Sequence, residues 1–433
     1  MIDMEPGLLE GLDEVDWAEL GHAYGRAVDV PGQLTALCGP DATARESALM
    51  SLFGNIFHQG TRYSASPYAV PFLARIALAG PQSIRDGVLR LLTRLAIDWH
   101  DEYDLPRGID IKAWRAAAAE LTMDEALAWY DERIAAEPDK EKRGRLGEIR
   151  AEWAAGRLMG SRESALRSYD AVRAQLPALL PLLDDPEPAV RSAAAYLTAW
   201  FPEEAPAVLP CLLHRLRVED SVAVRATALV AVGLLGDAAL VPRLSPELDA
   251  TEPLIRWAAA TALARIGSTD GTAGLGPDLA RAVIGELAAA AVRTPEPGIY
   301  YNEEDIPGYT GRSLLALADH DRETVIGGVA DCLAGIRSRD HLDATARDAL
   351  TVFFAGPAHD GRPCCTPLTE LTEGQRRLLR ALVKNGPWGR YGKQFEKCLT
   401  DRRLPDTRAG LRVYVGLPDD GLGGTEDEEN IWG

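Results

Sequence analysis

The 433-residue chain has few aromatic residues, 6% of the total. So sparse a supply of large rings suits closely packed helices better than a β-sandwich or a broad sheet. No run approaches the ~18–20 uninterrupted apolar residues that a membrane span needs. The first residues, Met1-Ile2-Asp3-Met4-Glu5, lack the basic stretch of a secretory signal, so a cytoplasmic location is expected and no membrane association. The six cysteines (Cys38, Cys211, Cys332, Cys364, Cys365 and Cys398) show neither paired nor regular spacing. That argues against a disulfide framework and against a structural zinc site, although adjacent Cys364-Cys365 offers a strained vicinal bridge as an alternative to reduced thiols. Equally missing are the Gly-x-Ser-x-Gly elbow, the phosphate-binding Gly-rich loop ending in Lys and Ser or Thr, the His-Glu-x-x-His zinc helix and a dinucleotide-binding glycine turn. No metal and no cofactor is expected.

Basic charge is also in short supply, and the deficit is uneven. The formal net charge is −19. Residues 1–20 hold Asp3, Glu5, Glu10, Asp13, Glu14, Asp16 and Glu19 without one Lys or Arg, and residues 417–433 hold six unopposed acids. Those two ends carry most of the excess, so the body is close to balanced. Acidic ends of this kind are usually solvated and oppose nucleic-acid binding, which relies on clustered Lys and Arg.

What is present is a repeat. Val190-Arg191, Val224-Arg225 and Ile255-Arg256 recur with their arginines 34 and 31 residues apart. Four positions beyond each β-branched residue stands an alanine (Ala194, Ala228, Ala259), and eleven beyond stands Phe201, Leu235 or Ile266. Positions i, i+4 and i+11 share one helical face, so each segment is predicted to bury the same stripe, with alanine allowing a neighbouring helix close. Acids and turn formers precede each helix at Asp184-Asp185-Pro186, Asp220-Ser221 and Thr251-Glu252-Pro253, as helix starts require. A preceding helix carries Pro177, Pro210 or Pro242 at 14, 15 and 14 residues before the arginine; a proline at fixed phase predicts a recurring kink. Pro71 stands 14 residues before Arg85, with Val88 and Leu95 completing a fourth stripe.

Paired helices, a kinking proline in the first and an Asp followed by a phased Val-Arg in the second resemble HEAT repeats, as found in uncharacterised bacterial proteins of that kind. The resemblance is strong over 66–98 and 172–268 and loose elsewhere. It implies an all-α fold, a right-handed α-solenoid of helical hairpins, in which Arg85, Arg191, Arg225 and Arg256 form an inter-repeat ladder. The expected organisation is an acidic segment (1–20), N-terminal hairpins (21–106), a charged helical insertion (107–160), central repeats (161–292), a Tyr-rich acidic loop (293–312), C-terminal hairpins (313–416) and an acidic tail (417–433). In the insertion, Trp114, Trp129 and Trp153 are candidates to seat it on the repeats, the alternative being a lid or a partner-docking arm.

Three segments break the pattern and supply candidate binding residues. Residues 55–71 place His58, Gln59, Arg62, Tyr63 and Tyr68 on a connector between repeats; the choice is between a ligand-facing loop and a turn stapled by its tyrosines. His100, flanked by Asp101 and Asp104, ends the same unit, but one His on a short turn is a poor metal site beside a plain solvated helix end. Residues 293–312 include Tyr300, Tyr301, Glu303, Glu304 and Asp305, which suit either a loop for a cationic partner or an ordered cover. The basic, aromatic stretch 388–397 reads as a terminal capping helix.

The favoured function is therefore a non-enzymatic scaffold holding a protein or peptide on its concave face, a neutral or basic partner such as a toxin being one instance. An enzyme acting on a small molecule in the groove is the alternative, and a HEAT-like DNA glycosylase, with nucleic acid as partner, is disfavoured by the dispersed basic residues.

Overall fold

The computed structural model describes residues 7–97, 102, 108–120, 123–154, 162–269, 275–292, 299–354, 367–389 and 392–418. His100, Cys364-Cys365, the first six residues and the tail from 419 onward lie outside the described residues. The protein is an all-α solenoid, with two small β-hairpins near its N-terminus. In chain order the elements are β1 (Gly21–His22), β2 (Gly25–Arg26), α1 (Val30–Leu37), α2 (Ala42–Asn55), β3 (Phe57–His58), β4 (Thr61–Arg62), α3 (Ser66–Ala79), α4 (Arg85–Ala96), α5 (Ile111–Glu120), α6 (Met123–Ala136), α7 (Lys140–Ala154), α8 (Arg162–Leu179), α9 (Pro188–Thr198), α10 (Ala205–Val218), α11 (Val222–Leu235), α12 (Val241–Leu244), α13 (Pro253–Thr269), α14 (Pro277–Val292), α15 (Ile306–Leu315), α16 (Arg322–Cys332), α17 (Arg339–Phe353), α18 (Glu373–Asn385), α19 (Lys393–Thr400) and α20 (Arg408–Tyr414). The helices fall into two compact units, one ending at Val224 and the other running from Arg225.

In the first unit the repeat stripe is inside. Val88, Leu95, Val190, Ala194 and Phe201 are all buried. Pro71 lies within α3 and Pro177 within α8, and just beyond Pro177 the chain tightens into a 3-10 stretch, Leu180–Asp184. A ring without an N–H leaves one helical hydrogen bond unmade, which is where a helix can bend. Helices α3 and α4 pack on each other and then directly on α8 and α9. The repeat stack therefore continues across the intervening α5–α7. Helix α5 is the link: Trp114 meets the Tyr169 ring edge-on at 6.0 Å, and Arg115 bridges bidentately to Asp170 at 2.7 and 3.0 Å and to Glu203 at 3.2 Å.

In the second unit Ala228, Ile255, Ala259 and Ile266 form the same buried stripe. Here the phased proline, Pro242, opens the short helix α12 instead of lying inside a long one. Small residues permit close contact: a Cβ on Gly233 would stand 2.4 Å from the Ala262 Cα. Helices α14 to α18 continue the stacking, and beyond them Phe395 is fully buried against Trp388 with ring centroids 4.9 Å apart.

The four phased arginines each reach an acid of the following helical pair within their unit. Arg85 meets Asp185 at 2.8 Å and Arg191 meets Glu219 bidentately at 2.8 and 2.9 Å. Arg225 meets Glu247 at 2.7 Å and Arg256 meets Glu286 at 3.3 Å. The second acid is a helix-start residue as well: Glu219 accepts the Ser221 N–H.

Candidate functional site

Among the described residues the two β-hairpins are the departure from helical structure. In the second, β3 and β4 pair with Phe57 opposite Arg62 and His58 opposite Thr61. The two turn residues, Gln59 and Gly60, both have positive φ, 48° and 82°. This is the turn whose twist matches a tight hairpin; glycine is at home in its second place, while glutamine in the first is an uncommon choice. The Arg62 side chain, almost fully buried, donates to the Gly60 carbonyl at 2.8 Å and closes the turn from within. In the first hairpin Gly21 faces Arg26 and His22 faces Gly25, around a turn of Ala23 and Tyr24.

The hairpins are laid side by side by backbone groups. Ala23 N–H donates to the Asn55 carbonyl at 3.0 Å, and Ala65 N–H to the Gly21 carbonyl at 3.1 Å. Ser64 Oγ accepts the Gly21 N–H at 2.8 Å, and Ser66 Oγ accepts the Tyr63 N–H and donates to the Ile56 carbonyl at 2.6 Å. Beneath them His22 is buried with both ring nitrogens engaged. Its Nε2 faces Asp29 Oδ1 at 2.8 Å, and its Nδ1 accepts the Tyr24 N–H at 3.0 Å. An acceptor Nδ1 places the proton on Nε2, so the ring is the neutral tautomer that donates to Asp29. Asp29 Oδ2 takes donors from Gln33 at 2.9 Å and buried Asn55 at 3.1 Å, and Asn55 also donates to Gln33 Oε1.

This network ends in an exposed ring. Tyr24 is 72% exposed. Its ring meets that of His58 edge-on with centroids 5.3 Å apart, and its hydroxyl lies 3.5 Å from His58 Nδ1. Tyr63 is half-buried beside them. Burial pushes its phenol up, the Tyr24 phenol adds to the rise, and a hydrogen bond with Thr61 opposes it. Tyr68, 40% exposed, has the Arg167 guanidinium 6.0 Å above its ring. Of the connector residues singled out from sequence, His58, Gln59, Tyr63 and Tyr68 thus reach the surface, and Arg62 serves the turn. Sequence reasoning missed His22, Tyr24 and Asp29. A signal for them exists, because His22 stands four residues before Arg26 just as His58 stands four before Arg62.

Models of HEAT repeats match residues 209–294 and 176–197. The chain carries HEAT repeats. A search of curated proteins gives no match. Among solved structures, the crystal structure of an engineered protein from a structural-genomics consortium aligns over 86% of this chain and 92% of its own, at 16% identity and a TM-score of 0.28. HEAT repeats are a scaffold on which proteins commonly bind other proteins.

The second hairpin is the connector between α2 and α3, where one helical pair hands over to the next. The Tyr-rich segment is also a connector, before α15 in the second unit, and its residues divide between surface and core. Tyr301 is fully buried, its hydroxyl 3.4 Å from the Thr227 carbonyl, and it adjoins buried Tyr309. Asp305, 1% exposed, caps α15 through the Gly308 N–H, and its other oxygen accepts the Arg337 and Ser338 N–H groups and faces His341 Nδ1 at 3.1 Å. It fixes the start of one helix to the start of another. Tyr300 is half-buried, while Glu303 is exposed, and Glu303 and Glu304 both have left-handed backbones, φ 53° and 63°. Among the described residues no three His, Cys, Asp or Glu side chains gather as a metal site, and no helix is long and apolar enough to cross a membrane.

Proposed function

We propose that the chain is a non-enzymatic scaffold that binds a partner protein or peptide, and that the double hairpin, through Tyr24, His58, Tyr63 and Tyr68, is the anchor of that site. The observation that carries this reading is the contrast at Tyr24. A large ring left 72% exposed meets His58 edge-on, and its backbone N–H is held by buried His22, which faces Asp29 and, through it, Gln33 and buried Asn55. An aromatic side chain fixed in water before binding loses little freedom when a partner covers it, and tyrosines of this kind are enriched at the centres of interfaces. Chemistry on a small molecule would instead favour a site closed to solvent. With a net charge of −19, the chain suits a neutral or basic partner, of which a toxin is one instance, better than nucleic acid.

A photo-crosslinking phenylalanine analogue placed at Tyr24 in the native host tests the reading. One discrete protein adduct is expected there and none from the same analogue at Val413, an equally exposed position in the second unit. With the captured partner purified, Tyr24→Ala should weaken binding at least ~10-fold, the scale of an interface hot spot. No adduct at 24, or a Tyr24→Ala protein that binds the partner unchanged, would overturn it.

A further inference from the structure

The hairpin of α6 and α7 stands apart from the repeats. Among the described residues these two helices pack extensively only on each other, and the link to the stack is made by α5. A helical hairpin of this length has too little core to hold a fixed shape for its own sake, so a face it leaves open needs an explanation. Between the two helices runs an open groove of about 480 Å³. Its floor includes Leu146 and Ile149, each only partly buried, and its rim carries Arg133, Lys142 and Arg145 against a single acid, Glu137. Elsewhere on the arm Arg150 forks onto Asp131 at 2.5 and 2.8 Å, and Arg143 donates to the Glu137 carbonyl. Lys142 and Arg145 make no ion pair among the described residues, and the Arg133 guanidinium lies 4.1 Å from the centre of the half-exposed Trp129 ring. The groove is thus a locally cationic, apolar-floored strip on a chain whose net charge is −19.

We infer that the α6–α7 arm is a second docking surface and that its groove takes an acidic amphipathic helix of a partner protein. The apolar face of such a helix would cover Leu146 and Ile149, and its flanking carboxylates would meet Arg133, Lys142 and Arg145, the helix-in-groove mode of recognition. A nucleic acid would satisfy the rim and leave the floor wet. This site is separate from the double hairpin and takes the opposite charge of ligand, so either can fail without the other.

The test is fluorescence anisotropy with the full chain and three labelled 16-residue peptides: Glu and Leu at helical spacing, Lys and Leu at the same spacing, and Glu and Ser. The Glu–Leu peptide is expected to bind, less tightly as salt rises, and the other two not to. The exposed double variant Lys142→Glu/Arg145→Glu should lose at least ~10-fold of that affinity and gain the Lys–Leu peptide, while Lys142→Arg/Arg145→Lys keeps the original preference. Unchanged helical circular dichroism in both variants separates the charge effect from unfolding. Equal binding of Glu–Leu and Glu–Ser peptides, affinity that survives charge reversal, or full competition by a 20-nucleotide single strand would each overturn the inference.

Discussion

Tyr24 and His22 sit two residues apart and should behave in opposite ways. Tyr24 is exposed, so Tyr24→Ala is expected to change stability by less than about 0.5 kcal/mol. His22 is buried between Asp29 and the Tyr24 N–H. Replacing it with alanine removes both hydrogen bonds and empties a buried site, and a cost of about 1–3 kcal/mol is expected, read as a drop in the urea midpoint. Both variants should nevertheless lose the partner, one by removing the anchor and the other by releasing it. The sequence makes His58 and Tyr63 stand out because they interrupt a helical pattern. It hides His22 because the meaning of that residue depends on contacts that spacing cannot express: Asn55 reaches Asp29 across 26 positions and His58 reaches Tyr24 across 34. The same limit applies to Asp305 and Tyr301. Tyrosines beside acids suggest a wet surface, yet one side chain joins two helix starts and the other fills the core.

Among the elements, the helices were the legible part. A stripe at i, i+4 and i+11 is a local property that any helix reproduces, and the residues carrying it in α9, α11 and α13 are inside save partly exposed Leu235. That small residues would let helices come close was legible; which pair meets, Gly233 in one helix against Ala262 in another, was not. Gly233→Ala would drive a methyl into the Ala262 backbone, where the Cβ would stand 2.4 Å from Cα. Overpacking of this kind should cost about 1–3 kcal/mol, measured by thermal unfolding. The arm predicts the reverse outcome. Because α3 and α4 already pack on α8 and α9, and Arg85 reaches Asp185 past the inserted helices, replacing Met123–Ala154 with a short Gly-Ser linker should leave the melting temperature within about 2 °C. A larger fall would mean that α6 and α7 support the repeats.

At the scale of the whole molecule, stability in a repeat array is close to a sum of neighbour terms, so a link between successive pairs matters beyond its own site. The most enclosed acid of the ladder is Glu219, whose side chain is 1% exposed and is held by Arg191 and by Arg215 at 3.0 Å. Burial pulls its carboxyl upward, but hydrogen bonds from Arg191 and the Ser221 N–H, with the charges of Arg191 and Arg215, outweigh that and hold it below the usual carboxylate value of 4.5. The native protein therefore binds this proton less readily than the unfolded chain does. The stability Glu219 contributes is complete above about pH 4.5 and declines as the pH falls through its depressed native value. Glu219→Gln removes the charge while keeping the side chain's size. It should cost about 1–3 kcal/mol at pH 7, since both guanidiniums lose their counter-charge in a mostly enclosed position. As the pH is lowered the wild-type carboxyl takes up its proton and comes to resemble the amide, so the gap between the two urea midpoints should narrow between pH 5 and pH 3. A gap that stayed constant across that range would show that the amide disturbs packing and that the ion pair contributes nothing to acid sensitivity.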